Sequence, residues 1–105
     1  MSATPERDYN SLSWRHRRSN FYKKFDKVCV ICGRNRNQTS IHLHHLSYDA
    51  EWCKEPDSDL IPLCGDHHLQ VHEFYNLVSS AIDLREATIR FIQEGLATIE
   101  PLELE

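Results

Sequence analysis

No stretch of this chain approaches the roughly 20 consecutive apolar residues that a membrane-crossing helix needs. The opening residues, Met-Ser-Ala-Thr-Pro-Glu-Arg, lack the apolar core of a secretory signal. There is no internal repeat and no low-complexity segment. These absences argue against a membrane protein and point to a cytoplasmic location. The 105 residues bound the chain to one domain with a small core, although 40% of them are hydrophobic. A core of that size is marginal without a staple.

Charge is unevenly spread. Residues 1 to 36 hold nine Lys/Arg and three Asp/Glu, a balance of +6, while the remainder carries −10, giving the net −4. An acidic average therefore does not exclude a polyanionic partner. It confines such contact to the basic N-terminal third.

The chain is rich in soft metal ligands. Cys29-x2-Cys32 is completed about thirty residues later by Cys64-x2-His67. His44-His45 lies inside that bracket, and His68-x3-His72 follows it. Two disulfides are the rival use of four cysteines, but the Cys-x2-Cys spacing, seven histidines and missing secretion signal favour metal. Zinc takes four tetrahedral thiolate or imidazole ligands, and Cys29, Cys32, Cys64 and His67 supply such a set. A rival set replaces His67 with Cys53, and spacing alone leaves that choice open.

The element pattern places these ligands. Residues 1–12 read as a disordered leader. Ser13 to Phe25 reads as a helix, capped by Ser11 or Ser13, with Trp14, Phe21 and Phe25 turned to the domain and the basic side chains outward. Val28–Gly33 reads as a strand entering a zinc knuckle, and Thr39–Leu46 and Leu60–Leu63 as further strands. A helix over His67–Val78 should carry apolar Leu69, Val71 and Phe74. Asp83-Leu-Arg-Glu86 is a capping box opening a last helix, closed by Gly95, whose Ile82, Ile89, Phe91, Ile92 and Leu96 provide packing surface. Residues 99–105 form an acidic tail.

His68 and His72, four apart on a helix, stand on one face one turn apart, which suits chelation of one ion. Adjacent His44 and His45 point to opposite faces of a strand. One should ligate while the other stands off with a nitrogen able to take a proton near neutral pH. His42 reads as a partly exposed strand histidine. An all-imidazole site binds Ni²⁺, Zn²⁺ or Mn²⁺ more readily than Mg²⁺.

The stretch from Cys29 to His72 resembles the HNH endonucleases of the ββα-metal fold. The resemblance rests on Cys29-Val-Ile-Cys32-Gly33, Leu43-His44-His45-Leu46-Ser47-Tyr48, Glu55, Asp59-Leu-Ile-Pro-Leu-Cys64 and His67-His68-x3-His72. It implies an α+β fold with flanking helices, an HNH nuclease domain over 13–98 with its motif core at 28–78, and hydrolysis of DNA phosphodiesters to 5′-phosphate products. It further implies that His45 is the general base and that His44, His68 and His72 hold a catalytic divalent metal (Mn²⁺, Ni²⁺, Zn²⁺ or Mg²⁺). Asp59 stands where many members have a loop-bracing asparagine and counts among the catalytic residues. Glu55 matches a carboxylate four residues earlier. His67 departs from the family, which usually has cysteine there, although histidine still ligates zinc.

The basic strip Arg15, Arg17, Arg18, Lys23, Lys24 and Lys27, with Arg34 and Arg36, is the candidate DNA track. A small protein of this kind looks like a phage or bacterial product. The alternative function is a non-catalytic zinc-binding module that contacts DNA or protein, such as an accessory subunit of a phage packaging or restriction system. A protein partner or a homodimer stays open.

Overall fold

In the computed structural model, residues 8–97 are described. The expected tail at 99–105 and the first seven residues of the expected leader lie outside them. The architecture is α+β, with three helices and a two-stranded antiparallel sheet. Helix α1 spans Leu12–Tyr22, strand β1 Ile41–His45, strand β2 Leu60–Cys64, helix α2 Gly65–Val78 and helix α3 Leu84–Gln93. A single 3₁₀ turn, Asp57–Asp59, leads into β2.

The Ser11 hydroxyl caps α1 by accepting from the Trp14 amide at 3.2 Å. The helix stops at Tyr22, short of the expected Phe25, and Phe25 is 46% exposed rather than turned inward. Its ring rests on Phe21, with centroids 4.6 Å apart. Trp14 and Phe21 do face the domain, where they form a small core with Leu43 and Leu60. Tyr9, inside the expected leader, packs edge-on against Trp14 at 5.7 Å and Trp52 at 5.2 Å.

The expected strand at 28–33 is reduced to one bridge between Val28 and Asn35. The chain must instead turn tightly to bring Cys29 and Cys32 together. The Gly33 amide donates to Cys29 O at 2.9 Å, and Gly33 itself takes φ 78°, a conformation open to glycine.

Strands β1 and β2 pair from Ile41↔Cys64 to His45↔Leu60. Burial along β1 does not simply alternate, and both His44 and His45 are buried. The cause is that both faces are covered: Trp14 of α1 lies against His45, and α2 and α3 lie against His44. A second core joins Ile41, Leu63 and Cys64 of the sheet to Cys29, Val71 of α2 and Phe91 of α3.

Helix α2 begins two residues before the expected His67, because Cys64 serves as its N-cap, its sulfur accepting from the His67 amide at 3.5 Å. Val71 is buried, but Leu69 is 60% exposed. Asp83 caps α3 through the Glu86 amide at 2.8 Å, as its sequence signature predicts. The buried face of α3 is Leu84, Ala87, Thr88 and Phe91. Ile89, Ile92 and Leu96, expected to pack, are exposed because they lie off that face. Among the described residues no helix is long and apolar enough to cross a membrane.

Candidate metal centres

Two ligand clusters form where α2 meets the sheet. In the first, the ligand atoms of Cys29, Cys32, Cys64 and His67 all lie within 4.8 Å of one another. His67 Nδ1 is 3.4 Å from Cys64 Sγ and 3.6 Å from Cys29 Sγ, and the Cys32 and Cys64 sulfurs are 4.0 Å apart. Tetrahedral zinc with the usual bond lengths requires ligand separations of about 3.5–3.8 Å. The cluster is thus compatible with a structural zinc ion. His67, not Cys53, completes it. Cys53 sits in a turn at φ 67° and packs beside Trp52 in the α1-side core. All four cysteines are free, so no disulfide competes.

Arg34, expected on the DNA track, lies against this centre. It donates from Nε to Cys32 Sγ at 3.1 Å and from Nη2 to Cys64 Sγ at 3.4 Å. Burial pushes the Cys32 thiol up, but the hydrogen bonds, Arg34 foremost, bring it below its ordinary value overall. Burial raises the Cys64 thiol. Three thiolates leave a zinc site with one surplus negative charge, and Arg34 is placed to balance it.

The second cluster comprises His44, His68 and His72, whose ligand atoms also fall within 4.8 Å. His67 and His68 are neighbours at the start of α2, where one residue turns the side-chain direction by about 100°. One short helix therefore feeds both centres. The tautomer of His44 follows from its partners. The Thr88 hydroxyl donates to Leu84 O at 2.8 Å, so its oxygen accepts from His44 Nε2–H at 2.9 Å. Nδ1 then carries the lone pair, and this atom is buried with no hydrogen-bond partner among the described residues. A metal ligand needs such a lone pair.

Burial, then the charges of His68, His72 and His45, lowers the pKa of His44 to about 3. Burial and neighbouring histidines bring His68 to about 4, and burial lowers His72. All three rings are neutral at pH 7, the state that ligates metal. His42, expected as a bystander, has its Nδ1 2.9 Å from His68 Nδ1 and so helps to fix that ring.

His45 faces the other side of β1. It is 2% exposed, and its Nε2 donates to Glu55 Oε2 at 2.7 Å. Its ring stacks on Trp14 at 5.3 Å and on Tyr48 at 5.2 Å. A cleft of about 340 Å³ runs along β1, lined by His45, Tyr48, Tyr9 and Arg18 together with His68 and His72. The candidate base and two candidate ligands thus open onto one space.

Other expected site residues have partners outside the histidine cluster. Asp59, expected among the catalytic residues, pairs its carboxylate with Arg85 of α3, and its carbonyl accepts from the Leu46 amide at 2.7 Å. It braces the exit of β1 and is not part of the histidine cluster. Arg17, expected on the DNA track, is largely buried. It donates to Glu55 O at 2.6 Å and Asp57 Oδ1 at 2.7 Å, with Nε 3.7 Å from Glu55 Oε1. Lys24 joins the same knot through Asp57 Oδ2 at 2.9 Å. Hydrogen bonds from Lys24 and Arg17 hold the Asp57 carboxyl below its usual range. Arg15, Arg18, Lys23, Lys27 and Arg36 remain together around a separate hollow.

Thr88 carries no local sequence signal, because its partner His44 lies 44 residues away, and the pairing of Glu55 with His45 depends on how the loop between them folds. Set against known proteins, the chain has no matching family model, no matching curated protein and no matching solved structure.

Proposed function

We propose that this protein is a metal-dependent endonuclease that hydrolyses DNA phosphodiesters, with a ββα-metal core of the HNH type formed by β1, β2 and α2. The observation that carries the reading is the cleft that gathers His45, His68 and His72, with the lone pair of buried His44 Nδ1 directed by Thr88. A purely structural role asks for one zinc centre. It gives no reason for three neutral imidazoles beside a histidine–carboxylate pair.

The chain's own groups divide the work. A divalent ion held by His44, His68 and His72 would neutralise the phosphate and the departing oxygen, the chemistry such ions supply in phosphoryl transfer. Glu55 accepts the Nε2–H of His45, so Nδ1 is the nitrogen that takes the proton from water. The water oxygen forms its bond to phosphorus as the bond to the 3′ oxygen breaks, leaving a 5′-phosphate. Trp14 and Tyr48 hold the imidazole from its faces, and Arg17 steadies Glu55. Glu55 and Arg17 are positioning residues, since they act through His45.

The test is nicking of supercoiled plasmid in Mn²⁺ or Ni²⁺ by the wild type and by His45→Ala, with zinc content matched. The reading expects nicking by the wild type and a loss of at least about a hundredfold in the variant. Equal activity, or two folded, zinc-loaded and inert proteins, would move the non-catalytic binding module ahead.

A further inference from the structure

The outer face of α1 and the loop before β1 enclose a hollow lined by Arg15, Arg18, Lys23, Lys27, Arg36 and Tyr22. No carboxylate lines it. Among the described residues none of these five cations forms an ion pair, whereas Arg17, Lys24 and Arg34 are each held by an acid or a thiolate. Lys27 lies over the Tyr22 ring, 5.2 Å from its centroid. Burial first, and then Arg18 and Arg36, lowers the Lys27 pKa.

Tyr22 supplies an independent observation. Its hydroxyl is buried and has no hydrogen-bond partner among the described residues. Burial, against the pull of Arg18, raises its pKa to about 12, so the group remains a donor at any physiological pH. A buried donor without an acceptor is costly, and Tyr22 lines the hollow where an anion would sit. Arg18 lines both this hollow and the cleft over His45, His68 and His72.

We propose that the hollow is a subsite for a second, non-scissile phosphate of the polynucleotide, held by the five cations and the Tyr22 hydroxyl, with Arg18 linking it to the cleavage cleft. The identity of the ligand rests on the nuclease reading. The anion chemistry of the hollow does not. The substrate is thus a strand long enough to reach both places, and a small phosphodiester with one phosphate would use only the cleft.

The test is fluorescence anisotropy of a short labelled oligothymidylate with the full, zinc-loaded chain. No other divalent cation is added, so nothing is cleaved, and salt is varied. Tyr22→Phe keeps the ring and the fold and should weaken binding about fivefold. Lys27→Ala with Arg36→Ala should weaken it on the order of tenfold or more and reduce the salt slope by about one to two. Lys24→Ala removes the same charge from a paired, exposed site and should change binding less than about twofold.

Wild-type binding in the Tyr22 and Lys27/Arg36 variants would overturn the proposal. So would an equal loss in Lys24→Ala, which would indicate general charge attraction. Binding of inorganic phosphate with no oligonucleotide binding would also overturn it. Should plasmid nicking be absent while these losses hold, the subsite stands and the nuclease reading falls.

Discussion

The hydroxyl of Thr88 decides which nitrogen of His44 keeps its lone pair. It is already committed as a donor to Leu84 O, so it can only accept from Nε2–H. Thr88→Val keeps the shape and removes the acceptor. Ni²⁺ affinity at the histidine cluster, measured by calorimetry on zinc-loaded protein, should fall about 10- to 100-fold, with the clamp zinc retained. Unchanged affinity would remove Thr88 from the site. Acid should act through the same residue. The pKa of His44 lies near 3 in the fold and near 6.5 in the unfolded chain, so its contribution to stability is whole above pH 6.5 and is lost as pH falls toward 3. In denaturant titrations without added metal, the wild type should lose roughly 2 kcal/mol more than His44→Leu between pH 7 and 5. A matching loss in both proteins would contradict the burial of a neutral ring. The ligands themselves were legible, because Cys-x2-Cys, Cys-x2-His and His-x3-His spacings encode chelation locally. Thr88 was not, since α3 meets β1 only in the folded chain. Nor were the inward roles of Arg17 and Arg34: a basic run looks the same from sequence whether its charges face water, a carboxylate or a thiolate.

Elements with a chemical start signal read cleanly. Asp83 and Glu86 predicted the opening of α3, and the Asp83 carboxylate does cap it. Asp83→Ala should destabilise the protein by about 1 kcal/mol in urea unfolding, leaving metal content unchanged. A change below a few tenths would mean that tertiary packing alone holds the helix end. Apolar count was the poorer guide. Ile89 and Ile92 are as hydrophobic as Phe91, yet only the face at Leu84, Ala87, Thr88 and Phe91 meets α2 and the sheet. The same limit explains Phe25, which lies beyond the point where α1 ends. The strand expected at 28–33 gave way to a tight turn, because bringing Cys29 and Cys32 beside Cys64 and His67 constrains the backbone more tightly than β propensity does.

At the level of the whole molecule, the two centres share α2 and are therefore coupled. Cys64 ends β2, belongs to the clamp cluster and caps α2, and the next turn presents His67 to one cluster and His68 to the other. A strong chelator, or Cys64→Ser, should therefore lower the melting temperature and also weaken Ni²⁺ binding at the histidine cluster, read as metal stoichiometry before and after treatment. Independent loss of the two metals would separate centres that the fold joins. The most direct measurement is plasmid nicking in Mn²⁺ or Ni²⁺ by His68→Ala, a partly buried position on α2 whose loss leaves the clamp residues in place. If the histidine cluster is the catalytic metal centre, this zinc-loaded, folded variant should nick at least about a hundredfold more slowly than the wild type. Nicking at the wild-type rate with only the clamp zinc bound would show that the histidine cluster is not where hydrolysis occurs.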